Sequence, residues 1–474
     1  MKELFPVSDD LRKALTAALG PKNVTDASQR YLEEPRGRFE AQETVLVTPE
    51  TTEGVSSVIR LCSEYNTGVV PYGGGTGLVG GQTKPDDGPS AVILSVEKMN
   101  KVREIDGDGA VIVAEAGVIL ADAQRMVDEV GLLYPLSLAS EGSCQIGGTL
   151  ATNAGGTQVI RYGNSRDFVL GIEAVMADSS VYRGLKKLRK DNTGYDLRHL
   201  LIGSEGTLGI ITAASVRLMP RPSEVATAMV VVPGPSEAVA LLKQFQRDMD
   251  GLITAFELMH RLGLSFVRDH IPNVDAPFQE LPEWSILIDL GGGHGSNLND
   301  RLEQSFEVAM ANGLVLDAVL ASSEAQRRNL WAVRESIPLG NRAVGAISNH
   351  DISVPVAAIP DFIAEADSTL IALGDVRVGA FGHVGDGNLH YNVYPADGRR
   401  REEMENLRPL IKETVHDLVA SFDGSVSAEH GVGRMKVDDL CKYSDPVKLA
   451  TMRSIKTALD PKGILNPGVF FTGA

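Results

Sequence analysis

The chain has 474 residues, 43% apolar and 23% charged, an ordinary composition for a soluble globular protein of two or three domains. Acids outnumber bases, 62 against 45, and the net charge of −17 argues against nucleic acid or an anionic membrane surface as a partner. Three widely spaced cysteines (Cys62, Cys144, Cys441) without a C-x-x-C pair, no secretory apolar run and no span of about twenty apolar residues point to a reducing, cytoplasmic setting without an integral membrane segment.

Apolar positions at Leu11, Ala14, Leu15 and Ala18 predict a helix over Asp9–Leu19, capped by Ser8 or Asp9. A polar stretch from Tyr31 to Gln42 follows. Thr44–Val47 then reads as a strand, and Glu53–Tyr65 as a helix with Val55, Val58, Ile59 and Cys62 inward. Val69-Val70 runs into Pro71–Gly81, P-Y-G-G-G-T-G-L-V-G-G, an uncharged stretch whose bare backbone N–H groups can approach an anion closely. A pyrophosphate is the expected target. Residues 75–80 match G-x-G-x-x-G, but the next segment carries Pro85, Gly88 and Pro89 and cannot form the helix that a dinucleotide fold needs there.

Strands at Ala91–Ser95 and Ala110–Ala114 and a helix near Leu120–Val130 continue without strict β-α-β alternation, so the expected class is α+β. Two more small-residue segments follow. Ser140–Gly156 reads S-E-G-S-C-Q-I-G-G-T-L-A-T-N-A-G-G. Ile202–Ile211 comes after the basic run Lys186–Lys190 and Asp191–Leu197. Three such segments in one domain imply a long cofactor that touches backbone in several places.

Pro220 and Pro222 mark a boundary, and a second α+β unit runs from there to about Phe422. Its expected strands are Ala228–Val232, Ile253–Met259 and Ser285–Leu290. Its expected helices lie near Ser236–Arg247, Asn299–Asn312 and Ala357–Leu373. A turn-rich segment, Leu459–Gly468, closes the chain. The resulting division is 1–222, 223–425 and 426–474.

Within the second unit, Phe381–Tyr391 reads F-G-H-V-G-D-G-N-L-H-Y. The turn Gly385–Asn388 joins two strands and folds His383 and His390 toward each other. Further on, S-A-E-H-G-V-G offers Glu429 and His430. Two imidazoles and a carboxylate with an open position suit a catalytic divalent ion; the plainer alternative is a histidine serving only as a hydrogen-bond partner in a turn.

Taken in order, these blocks resemble the FAD-dependent 2-hydroxyacid dehydrogenases of the vanillyl-alcohol oxidase / para-cresol methylhydroxylase superfamily, from about Val45 onward. The motifs are P-Y-G-G-G-T-G-L-V-G-G, G-S-C-Q-I-G-G-T-L-A-T-N-A-G-G, D-N-T-G-Y-D-L, G-S-E-G-T-L-G-I-I-T, G-H-V-G-D-G-N-L-H, S-A-E-H-G-V-G and D-P-K-G-I-L-N-P-G. The stretch Gly424–Gly431 is most similar to D-2-hydroxyglutarate dehydrogenases.

The resemblance implies a para-cresol methylhydroxylase-type FAD domain and a ferredoxin-like α+β substrate domain, with a C-terminal segment that returns to the first. It implies non-covalent FAD. Pro71, Gly73, Gly74, Gly75, Thr76, Gly77, Gly80 and Gly81 would meet the pyrophosphate. Ser143, Gly147, Gly148, Thr152, Asn153, Gly155 and Gly156 would run along the cofactor. Glu205, Gly206 and Ile211 would meet the adenine half, and Asn466 the flavin region. His383, His390 and Glu429 would hold a divalent metal, with zinc the expected ion, and His430 would act as base while hydride passes to flavin N5. Arg334 would bind the substrate carboxylate, with Asn388 and Asn349 beside it; an arginine paired with a nearby acid is the alternative for Arg334.

Two residues depart from the hydroxyglutarate pattern. Pro338 stands where those enzymes have threonine, and Asn349 where they have lysine; Arg36 or Arg38 could substitute for that charge. D-lactate or glycolate is therefore the alternative substrate, and an electron-transfer flavoprotein subunit or a metal hydrolase the alternative class. No NAD domain is visible, so a protein carrier or quinone is the expected electron acceptor, and a homodimer is left open.

Overall fold

Ser8 accepts a hydrogen bond from Leu11 N at 3.2 Å and starts the first helix, Asp9–Leu19, whose Leu11 and Leu15 are fully buried. The computed structural model describes residues 3–37, 43–84, 91–249 and 251–471. Arg38 lies outside them. The described residues form two compact units, one of Met1–Gly155, Asn164–Arg221 and Glu429–Ala474, the other of Gly156–Gly163 and Pro222–Ala428. The class is α+β. No helix among the described residues is long and apolar enough to cross a membrane.

The first unit holds two main sheets. In one, Val45–Val47, Val92–Ser95 and Val69–Tyr72 are parallel, and Val24–Asp26 adds an antiparallel edge. The helices Asp9–Leu19 and Thr52–Glu64 cover it through Leu15, Val55, Val58 and Ile59. The other is an antiparallel five-stranded sheet in the order Val102–Asp106, Val111–Glu115, Gly209–Arg217, Val169–Met176 and Val181–Gly184. The C-terminal turn joins the first sheet: Val69 N donates to Ile464 O and Asn466 N to Val69 O, both at 2.8 Å.

The second glycine block is not a loop throughout. Ile146–Ala151 is a short helix, and Gly147 lets it press onto Ala116, whose Cβ would stand 2.6 Å from a Cβ at that position.

In the second unit a seven-stranded antiparallel sheet runs in the order Asp317–Leu320, Glu224–Val232, Trp284–Gly292, Ile253–His260, Val376–His383, Asn388–Pro395 and Ser348–Ser353. Strand alternation sorts its residues onto two faces. One face is mainly apolar (Val230, Ile288, Leu258, Tyr391, Ile352), with His350 its buried polar exception, and packs on helices Pro235–Met249, Leu298–Ala311, Ile359–Leu373 and Arg408–Ser421. The opposite face starts apolar, with Met229, Leu287, Met259 and Phe381 under helices Arg261–His270 and Glu324–Val344. It then turns polar: Glu257, His383, His390, Asp351 and Asn388 occupy the same alternation.

Candidate active site

In the first unit, a cavity of about 440 Å³ is enclosed by the expected small-residue segments. Its size is that of a cofactor or ligand site. Every position expected along the cofactor lines it except Gly80, Ser143, Asn153 and Gly156. Ser143 lines an adjoining cleft of about 710 Å³ that shares Gly73 and Gly74 with the cavity. Asn153 accepts from Arg166 N at 3.0 Å, and Gly156 opens the short segment that belongs to the second unit. Gly80 turns its carbonyl to Arg434.

The cradle requires glycine. A Cβ on Gly74 would stand 2.1 Å from the Ser143 carbonyl oxygen, and Gly75 holds φ +74°. No lysine or arginine is among the lining residues, so what the wall offers an anion is neutral donors: backbone N–H groups and side chains such as Thr76, Ser140 and Gln145. Gln145 also lines the cavity, and its Oε1 is buried with no hydrogen-bond partner among the described residues. A bound molecule rich in hydroxyl and phosphate groups fits this wall.

Glu429 and His430 line the same cavity. The chain that carries them is fastened by Glu205 and Asn466, both expected at the cofactor, and by Arg434, which no motif singled out. The carboxylate of Glu205, itself at φ +49°, accepts from Val432 N and Gly433 N, each at 2.8 Å. Burial pushes this carboxyl up to about 7, against the pull of the two amides. Arg434 Nη1 donates to Gly80 O (2.7 Å) and Gly81 O (2.9 Å), and its Nη2 to Asn466 Oδ1 (2.9 Å) and Pro467 O (2.8 Å). Asn466 Nδ2 donates in turn to Gly81 O (3.0 Å) and Glu205 O (2.7 Å).

In the second unit the imidazoles of His383 and His390 stand with ring centroids 5.7 Å apart. Strand pairing explains this: Phe381 is opposite His390, and His383 lies two positions farther, at the hairpin end. Gly387, at φ +85°, makes the turn, where a Cβ would meet Val354 O at 2.2 Å.

Behind His383 lies Glu257, wholly buried, with Oε1 2.7 Å from His383 Nδ1. Glu257 Oε2 accepts from Arg334 Nε and Nη2, each at 2.8 Å. Burial raises the Glu257 carboxyl, but His383 and Arg334 outweigh it and bring it to about 2. Nδ1 is thus the His383 nitrogen that faces Glu257, and the buried carboxylate fixes the orientation of the ring.

Arg334 is thus committed to an acid, and its guanidinium also sits 4.9 Å from the Phe381 ring centroid. Asn388 Nδ2 donates to Asp351 Oδ1 (3.0 Å) and Ile352 O (2.9 Å), while its Oδ1 is buried with no donor among the described residues. Asn349 is exposed on the edge strand, two positions from Asp351. Pro338 sits inside the helix Glu324–Val344, four residues after Arg334, where it removes the N–H that would bond the Arg334 carbonyl.

Residues 221–470 match the family described as FAD linked oxidases, C-terminal domain, and residues 44–184 the FAD binding domain. D-2-hydroxyglutarate dehydrogenase, mitochondrial, of Bos taurus is 39% identical over 97% of this chain and 83% of its own length. Its Arabidopsis thaliana namesake is 38% identical over 95% and 79%. D-2-hydroxyglutarate dehydrogenase of Stutzerimonas stutzeri is 35% identical over 95% of this chain and 96% of its own.

The chain belongs to the FAD-dependent 2-hydroxyacid dehydrogenases.

Solved structures agree on the fold of this flavoenzyme family. p-Cresol methylhydroxylase with substrate bound superposes with a TM-score of 0.76 at 18% identity, covering 98% of both chains. Alkyldihydroxyacetonephosphate synthase gives 0.75 at 20%, covering 98% of this chain and 87% of that one.

The same relatives correct one expectation. The plant and animal dehydrogenases are mitochondrial by name, so the cytoplasmic assignment drawn from cysteine spacing and the N-terminus does not stand. A reducing interior is not peculiar to one compartment, and the thiols could not distinguish them.

Proposed function

We propose that this flavoenzyme oxidises D-2-hydroxyglutarate to its 2-oxo acid with the help of a divalent metal. The observation that carries the proposal is the imidazole pair His383 and His390, backed by a buried carboxylate on the polar face of the second unit's sheet. FAD would be held by the glycine cradle of the first unit, and it supplies the two-electron acceptor. His383, His390 and Glu429 would hold the divalent metal, which would supply Lewis acidity toward the substrate's hydroxyl oxygen. Glu429 follows directly on Ala428, whose N–H donates to Asp351 O at 3.3 Å.

His430 then serves as the base that accepts the hydroxyl proton, as an imidazole can near neutral pH. Asn388 offers its buried, unpartnered Oδ1 to a substrate hydroxyl. His383 and Arg334 keep Glu257 ionised, and the Arg334 N–H groups not used by that acid would serve the substrate carboxylate. The first unit serves as the FAD domain, the second as the substrate domain, and electrons leave to a protein carrier or quinone.

A second reading, D-lactate or glycolate as substrate, is favoured by Pro338 and Asn349, which replace two groups that hydroxyglutarate enzymes present. Rapid mixing of the FAD-loaded protein with D-2-hydroxyglutarate, D-lactate and glycolate separates the two. Fastest bleaching of flavin by D-2-hydroxyglutarate supports the first reading, and fastest bleaching by a monocarboxylate supports the second. Exhaustive chelation should stop bleaching while FAD stays bound; undiminished bleaching would remove the metal from the scheme.

A further inference from the structure

Glu205 is expected along the adenine half of the cofactor, yet both of its carboxylate oxygens are used elsewhere. Oε1 accepts from Val432 N and Oε2 from Gly433 N, each at 2.8 Å. The loop they hold follows His430 immediately. Its glycines have no latitude: Gly431 holds φ +79° with its Cβ position 2.6 Å from Glu205 Oε1, and Gly433 holds φ +52° with its Cβ position 2.1 Å from Val79 O. On its main-chain side, Glu205 O accepts from Asn466 Nδ2 at 2.7 Å. A fully paired carboxylate, 7% exposed, is expensive to place unless its geometry is used.

We propose that Glu205 is a positioning residue whose carboxylate fixes the loop carrying His430 at the wall of the cofactor cavity. Each oxygen takes one N–H, so two successive amides are aimed at one carboxylate and the peptide between them has a single orientation. His430, two residues before Val432, inherits that orientation. Glutamine would supply one acceptor, but its NH₂ would confront the second N–H, and the loop would lose one of its two anchors. The inference rests on the reading of His430 as the base, so the test separates the two ideas.

The test uses FAD-loaded wild type, Glu205→Gln, Glu205→Asp, His430→Ala and the double variant Glu205→Gln/His430→Ala. Hydrogen exchange followed by mass spectrometry reads the amides of 429–436 directly. Exchange should rise there in Glu205→Gln and less in Glu205→Asp. The limiting rate of flavin reduction should fall about 10–100-fold in Glu205→Gln, the scale of a displaced catalytic group. The apparent substrate Kd should change by less than about threefold. The double variant should be no slower than His430→Ala, because a residue that acts through another has nothing left to act on.

Unchanged exchange at 429–436 overturns the anchor, and so does a wild-type limiting rate in Glu205→Gln. A multiplicative loss in the double variant places Glu205 in another role. Loss of FAD with full activity in the remaining loaded fraction makes it a cofactor ligand instead. A near-normal rate in His430→Ala alone would sink the base assignment, and the exchange measurement would still decide the anchor.

Discussion

A Cβ on Gly74 in the first unit would stand 2.1 Å from the Ser143 carbonyl, whereas in the second unit Glu257 fills its position with a full carboxylate and is wholly buried. The two regions are built by opposite means. The cavity of the first is shaped by omission: small residues bring backbone to the wall, and polarity comes from N–H groups. The polar face of the second is shaped by insertion, since Glu257 stands behind the His383 imidazole and Asp351 behind the Asn388 amide. Loss of shape should therefore damage the first region, and loss of charge balance the second.

The largest effect is expected from Gly74→Ala, whose methyl meets backbone and cannot move aside. Overpacking of this kind costs about 1–3 kcal/mol or more, and the protein should purify without FAD, as read from the ratio of flavin to protein absorbance. Gly142→Ala, where nothing lies within 4 Å, is the matched control and should stay yellow. A flavin-replete Gly74→Ala would break the contrast.

Next comes Glu257→Gln, which leaves Arg334 buried against a neutral partner. Breaking a buried ion pair destabilises by about 3–5 kcal/mol, and a lower denaturation midpoint in urea should report it. A change below about 1 kcal/mol would mean that the pair is relieved by solvent.

A smaller effect, in specificity, is expected from combining Asn349→Lys with Pro338→Thr. These restore a cation and a hydroxyl, and one new charge-assisted bond should raise the preference for D-2-hydroxyglutarate over D-lactate by about tenfold. An unchanged ratio would detach both positions from substrate choice.

The smallest concerns the thiols. Cys441 is exposed and should react with a maleimide in the native protein, while Cys62, buried with its thiol pushed up to about 12, should not. Cys144 lines the cavity and should become reactive only after FAD is stripped.

Much of the omission was legible. Glycine blocks leave a one-dimensional trace, and the first helix was placed at Asp9–Leu19 because its apolar spacing and its serine cap agree. The imidazole pair was legible too, since a short hairpin brings near neighbours in sequence together. Glu257 was not. It lies 126 positions from His383 and 77 from Arg334, in a strand that reads as plain core, I-T-A-F-E-L-M. A lone acid in such a strand was the available signal, because a carboxylate is rarely buried without a partner. Arg434 was hidden for the same reason, as its acceptors are carbonyls at Gly80 and Gly81, which no side-chain pattern reveals. The helix Glu324–Val344 escaped notice because Pro338 interrupts it and arginines crowd its faces.

The backbone leaves the first unit after Gly155, returns at Asn164, departs again after Arg221 and comes back at Glu429. A ribosome therefore delivers the whole second unit before it delivers Arg434, Asn466 and the Leu465 partner of Val69. The glycine cradle stays unfinished until Asn466 has been made, and neither unit can be expressed by cutting the gene once. A nascent chain halted at Ala428 would hold its glycine segments without the bolts that close them, and it would have to wait for its cofactor.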